Sequence, residues 1–151
     1  MPNAFLTFCY TGLSPKAPGT AGTLAATVLG VGIIYYVSME TLVLLTVLFT
    51  LMALKQIKSY EENGGMHDDS RIVIDEVVGV WIALILSSAT WFQVLASFAF
   101  FRLYDIWKPS LIGRIDRNVK GGWGVMGDDM LAGVLAGISS AACYQLAARL
   151  I

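Results

Sequence analysis

Four apolar runs dominate the chain, at residues 21–37, 41–54, 77–101 and 131–151, and short polar joints separate them. The runs have almost no polar face, which predicts helices that are apolar all round. A membrane span needs about 20 apolar residues, fewer where polar ends snorkel to the surface. The first and fourth runs are rich in small residues, with Gly22, Gly30 and Gly32 in one and Gly133 and Gly137 in the other. Small residues let helices pack closely in lipid. The third run is interrupted by Ser87-Ser88-Ala89-Thr90.

The basic residues give a topology. Lys16 precedes the first run; Lys55, Lys58 and Arg71 follow the second; Arg102, Lys108, Arg114, Arg117 and Lys120 follow the third. The joints Ser38-Met39-Glu40 and Ser87 to Thr90 carry no Lys or Arg. Positive loops stay cytoplasmic. A straight third crossing would strand the basic 102–120 segment outside. A helical hairpin turning near Ser87 to Thr90 removes the conflict. Each arm would hold about 10 to 12 apolar residues, or roughly 15 to 18 Å, so it is re-entrant or borrows length from its polar flanks. The expected fold is one all-α domain over residues 1–151. It is a polytopic membrane bundle with three spans, a helical hairpin (re-entrant or crossing) and charged cytoplasmic loops. The alternative is a helical domain whose short runs form a soluble core.

Composition supports the membrane reading. The 151 residues are 56 % hydrophobic and 14 % charged, with a mean hydropathy of +0.68. With a net charge of −1 and no basic stripe, nucleic acid is not an expected partner. Cys9 and Cys143 are far apart without metal spacing, and read as reduced, buried thiols. The first ten residues lack the basic start of a cleaved signal peptide.

Charge is gathered. Ten of the eleven carboxylates lie in residues 61–76 and 105–129, against the apolar runs. Ionisable groups at the edge of a span are expensive unless they pair, bind an ion or do chemistry. Four constellations result. The first, residues 12–23, has two prolines and three glycines before the first run. Thr20 is a candidate N-cap there, and free N–H groups at a helix start favour phosphate, with Lys16 adding charge. The second holds His67, Asp68, Arg71, Asp75 and Glu76, with Gly79 one turn beyond Asp75. Its two acids are expected in a first helical turn, where the dipole alone would favour them. The third spaces Arg102, Asp105 and Lys108 by threes along one helical face. Tyr104 and Trp107 there also suit a membrane-interface belt. The fourth runs from Asp116-Arg117 through a glycine-rich loop to Asp128-Asp129, which is expected to open the last span; Gly133 follows Asp129 as Gly79 follows Asp75.

These groups offer carboxylate oxygens beside cations, with one histidine and no cysteine cluster. Oxygen ligands select a hard ion such as Mg²⁺, commonly shared with a phosphate. The physical reading is metal-assisted phosphoryl chemistry at a membrane, with a lipid phosphate as substrate. Rival phosphatase chemistries lack their residues: there is no histidine pair, no Asp-x-Asp-x-Thr and no nucleotide P-loop, no arginine follows Cys9 nearby, and Cys143 precedes Arg149 by six within an apolar stretch rather than in a thiolate loop.

The ordered set Gly12-Leu13-Ser14-Pro15, Pro18-Gly19-Thr20, Asp75-Glu76-x-x-Gly79, Phe101-Arg102-x-x-Asp105-x-x-Lys108-Pro109, Asp116-Arg117 and Gly121-Gly122-x-Gly124-x-Met126-x-Asp128-Asp129-x-x-Ala132-Gly133 resembles the phosphatidylglycerophosphatase A family. The resemblance runs from about residue 12 to residue 137. It implies a Mg²⁺-dependent phosphatase of the bacterial inner membrane that converts phosphatidylglycerophosphate to phosphatidylglycerol. Asp75, Glu76, Asp128 and Asp129 are then the expected Mg²⁺ ligands, with Asp105 in support. Arg102 and Lys108 would hold phosphoryl oxygens, helped by Arg71, Lys16 and the helix start at Thr20. His67 or Asp68 would pass the proton to the leaving alkoxide. The nucleophile is either water or a carboxylate. Competing readings are a phosphatase of another lipid such as phosphatidic acid, an ion or solute transporter using the acids for coupling, and a structural membrane subunit.

Overall fold

The computed structural model describes residues 1–150, apart from the side chain of Asp116. Among the described residues the fold is helical and has no strand. Six α-helices follow a short 3-10 turn: α1 Pro18–Tyr36, α2 Met39–Glu62, α3 Ile74–Ser87, α4 Trp91–Trp107, α5 Ser110–Asn118 and α6 Gly122–Leu150. Helices α1, α2 and α6 are long and apolar enough to cross a membrane. At 1.5 Å per residue they measure roughly 28, 36 and 44 Å. Much of their apolar surface points outward, as at Leu24, Val28, Leu44 and Leu146. A water-filled exterior would not tolerate so large a patch, and a bilayer explains it. The protein is a membrane protein.

Helix α3 is the centre. Ten of its 14 residues are buried, and it packs against α1, α2, α4 and α6. Trp81 anchors it: the indole N–H donates to the Ala26 carbonyl at 2.8 Å, and the ring packs on Phe49 at 5.1 Å. Gly30 on α1 leaves room for that indole, since a Cβ there would lie 2.9 Å from it.

The third apolar run holds two helices. Helix α3 stops because Ser88 and Ala89 turn left-handed, at φ 66° and 50°. Thr90 then starts α4 with a capping box, in which its hydroxyl accepts from the Gln93 N–H and the Gln93 side chain accepts from the Thr90 N–H. The Phe101 ring of α4 lies against Gly79 of α3.

Three expectations need correction. Helix α6 begins at Gly122, so Asp128-Asp129 lies within the helix rather than opening it. Only Gly121, at φ 77°, forms the turn. The later glycines stay helical and serve as contact points, with Gly122 against the Leu54 carbonyl and Gly127 against Ile115. Thr20 is not the N-cap of α1: Ala17 holds that position and Pro18 takes the first helical one, where its missing N–H costs nothing. The cysteines are free but not buried, with Cys9 exposed and Cys143 half-buried. Cys9 sits in a left-handed turn with Phe8 and Tyr10, which turns it outward.

Candidate active site

Two helices carry the acids and two glycines bring them together. Asp75 and Glu76 stand in the first turn of α3, and Asp129 stands in α6. A Cβ on Gly133 would overlap the Gly79 carbonyl oxygen, and one on Gly79 would lie 2.7 Å from the Asp129 carbonyl. With neither Cβ present, α3 and α6 touch backbone to backbone. Ligand oxygens of Asp75, Glu76 and Asp129 then lie within 4.8 Å of one another.

The cluster is sheltered. Asp75 is 8 % exposed and Asp129 4 %. Asp75, Glu76, Asp105 and Asp128 all press negative charge on Asp129. Like charges this close, out of water, are costly without a positive charge between them. One carboxylate oxygen, Glu76 Oε2, is buried with no hydrogen-bond partner. An orphaned buried oxygen beside two further carboxylates fits a hard cation, so the acidic cluster could bind a metal.

Cations ring the acids. The Arg102 guanidinium pairs with Asp105, one turn along α4, and reaches Glu76 Oε1 at 3.8 Å. Its Nε is buried without a partner. Lys108, in a left-handed conformation just after α4, donates to Asp128 Oδ2 at 2.9 Å. The start of α1 completes the wall, because Gly19 abuts Glu76 Oε1 so closely that a Cβ would overlap it. Thr20 follows in the same turn, and Lys16 is exposed two residues before the helix.

The remaining candidates have partners of their own or face solvent. His67 Nδ1 pairs with Glu61 Oε1 at 2.5 Å and faces a cavity lined by Arg117, Val119, Lys120 and Gly121. Asp68 is exposed at a left-handed turn, φ 54°. Arg71 is held by Asp69, through Nε–H to Oδ1 at 2.9 Å and Nη2 to Oδ2 at 2.6 Å.

Sequence reasoning passed over Asp69. Its side chain is 1 % exposed and accepts from Arg71 and from the Tyr60 hydroxyl at 2.6 Å. The Arg71 guanidinium beside it holds its carboxyl well below the usual carboxylate range. A signal was present, since Asp69 accepts from the N–H two residues on, as aspartates in turns do. Gly19 was read only as a turn residue; its contact with Glu76 is a tertiary fact with no local signature.

Residues 4–144 match the sequence model of the family Phosphatidylglycerophosphatase A. A Bacteroides thetaiotaomicron protein with the provisional name phosphatidylinositol-3-phosphatase is 42 % identical over 131 residues, covering 82 % of this chain and 81 % of its own. The Haemophilus influenzae protein named phosphatidylglycerophosphatase A is 40 % identical over 127 residues, covering 83 % of this chain and 78 % of its own. The Escherichia coli protein of the same name is also 40 % identical over 127 residues, covering 83 % and 73 %. No solved structure matches the chain.

Proposed function

The chain belongs to the phosphatidylglycerophosphatase A family and is a phosphatase, and on that premise we propose that it hydrolyses the terminal phosphate of phosphatidylglycerophosphate. The products are phosphatidylglycerol and inorganic phosphate. The observation that carries the reading is the meeting of Asp75, Glu76 and Asp129 within 4.8 Å, walled by cations and by the start of α1. A transporter reading has no comparable support.

Mg²⁺ is the proposed cofactor, held by Asp75, Glu76 and Asp129, with Asp128 adjoining through its pair with Lys108. When bound, such an ion neutralises phosphate charge and makes a bound water more acidic. The chain's own groups do the rest. Arg102 has five N–H donors in a fork, more than Asp105 and Glu76 consume, and so can bind phosphoryl oxygens while keeping its acids. Lys108 brings a second positive charge to the same edge of the cluster, where it holds Asp128 and attracts the phosphate. Backbone N–H groups in the first turn of α1, at Thr20, and the exposed Lys16 favour an anion above Glu76. In the reaction the phosphorus–oxygen bond to the glycerol breaks, water supplies the new P–O bond, and a proton goes to the leaving alkoxide. His67 and Asp68 serve the surrounding loop, and Arg71 serves Asp69.

The site is assigned to the cytoplasmic face of the bacterial inner membrane. The last turns of α2 carry Lys55 and Lys58, Arg71 follows that helix, and Lys108, Arg114, Arg117 and Lys120 follow α4, the Lys and Arg bias expected of a cytoplasmic face. Helices α3 and α4 both carry their charged ends toward that face, Asp75 and Glu76 on one and Arg102 and Asp105 on the other.

The test is phosphate release by the purified protein in detergent. Phosphatidylglycerophosphate, phosphatidic acid and phosphatidylinositol 3-phosphate are each supplied with Mg²⁺ or with EDTA. Mg²⁺-dependent release from the first substrate alone is expected. Release from phosphatidylinositol 3-phosphate alone would transfer the assignment to the chemistry named for the Bacteroides relative. Release that persists in EDTA would remove the metal from the proposal.

A further inference from the structure

A second feature lies outside the acid cluster. The exposed side of α2 forms a groove with α3 and α6, lined by Val43, Val47, Leu51, Ile82, Ile85 and Met130. Its two threonines, Thr46 and Thr50, spend their hydroxyls on the Leu42 and Thr46 carbonyls, so the floor offers no polar group. Leu51 also lines the next cavity along α2, which is bounded by Leu54, Lys55, Lys58, Lys120 and Trp123. The two cavities adjoin at Leu51, and end to end along α2 they make a channel with an apolar slot on one side and a rim of three lysines and an indole on the other. The rim is built by a close contact, because Gly122 lets the start of α6 press on the Leu54 backbone.

We propose that this channel binds one anionic phospholipid, with an acyl chain along Val43 to Leu51 and the phosphate between Lys55, Lys58 and Lys120. Charge argues for the occupant. Three lysines meet at one end; of the two acids that follow Lys58 in the chain, Glu61 pairs with His67 and Glu62 pairs with Lys58 only at 3.8 Å in an exposed position. Such surface pairs are weak. Length argues for it as well. From Val43 to Lys58 α2 rises about 22 Å, close to one leaflet, or half of the roughly 40–45 Å bilayer with its headgroups. Trp123 is 62 % exposed at the lysine end, where interfacial tryptophans sit. The inference rests on reading α2 and α6 as membrane spans. It does not depend on the reaction: Met130 brings the slot beside Asp129 along α6, but none of the channel residues belongs to the acid cluster.

The experiment reads binding without turnover. The protein is reconstituted in phosphatidylcholine vesicles containing brominated phosphatidylglycerol or brominated phosphatidylcholine, and quenching of tryptophan emission is measured. The Trp123→Phe variant supplies the signal to subtract, so only Trp123 is followed. Quenching at Trp123 is expected to favour phosphatidylglycerol by about tenfold or more, given three nearby lysines. The K55Q/K58Q/K120Q variant should remove that preference and retain the helical circular dichroism of the parent. Equal quenching by the two lipids overturns the proposal. A preference that survives in the triple variant also overturns it, since the lysines would then not be its source. Neither result would bear on phosphate release.

Discussion

Gly133 of α6 rests on the carbonyl oxygen of Gly79 in α3, with no space for even a methyl group between them. That contact sets the distance between the helix that carries Asp75 and Glu76 and the helix that carries Asp129. Gly133→Ala should therefore push the helices apart, at a cost of about 1–3 kcal/mol for an overpacked site. Activity should fall more steeply than stability, because the three carboxylates would separate. Gly32→Ala is the matched control: a Cβ there meets nothing within 4 Å, and alanine favours the helix by up to about 1 kcal/mol. Thermal melts in detergent and phosphate release from both variants check the pair. Equal behaviour of the two would mean that the glycine contact does not position the acids.

Asp129→Asn keeps the size of the side chain and removes one charge from the cluster. Turnover should drop by at least about 100-fold, the scale seen when a preorganised charge facing the transition state is lost. The protein should remain folded, since relieving crowded like charges does not destabilise it. Asp75→Asn and Glu76→Gln should behave alike, and each should raise the Mg²⁺ concentration needed for half-maximal rate. A Mg²⁺ titration of phosphate release reads both effects. Full activity in Asp129→Asn would remove it from the catalytic set.

His67 is tied to Glu61 and is not part of the acid cluster of Asp75, Glu76 and Asp129. His67→Ala should keep its rate within about threefold of the parent, whereas loss of a general acid costs roughly 100- to 10,000-fold. A pH–rate profile of the variant makes the comparison complete. A loss of two orders of magnitude would return the proton-transfer role to His67.

Much of this arrangement was readable in the chain, and the reasons differ by residue. The acids stood out because charge is scarce and theirs abuts apolar runs. The pairing of Gly79 with Asp75 and of Gly133 with Asp129 was visible as spacing, but the meeting of the two glycines was not, because helix contact depends on crossing geometry. The early start of α6 was missed for a related reason. A glycine-rich stretch reads locally as a turn, while here its glycines are points of helix contact that tertiary packing keeps helical. Lys108 was placed on one helical face with Arg102 and Asp105; the chain turns left-handed at Lys108, and the ammonium reaches Asp128 on another helix instead.

The loop before α3 gives a pH dependence with a definite sign. Buried Asp69 accepts from the Arg71 side chain, from the Tyr60 hydroxyl and from the Arg71 N–H. These contacts, Arg71 foremost, lower its pKa in the fold. A lowered acid contributes stability that is complete above its unfolded pKa, about 3.9, and is lost as pH falls from there toward the folded value. The protein in detergent should therefore melt at a constant temperature from pH 7 to about 5, with respect to this group, and progressively lower below about pH 4. Asp69→Asn should cost about 2 kcal/mol at neutral pH, as expected for hydrogen bonds to a charged group. Its melting curve should converge on that of the parent as the pH falls. The loop also fixes the entry to α3, because the Val73 N–H donates to the Leu6 carbonyl at 2.9 Å and the Arg71 carbonyl rests on Gly12. Loss of Asp69 should thus lower the rate through Asp75 and Glu76 without touching substrate, with a fall in kcat larger than any rise in KM. A gap between the two melting curves that stays the same from pH 7 to pH 3 would show that the charge on Asp69 contributes nothing.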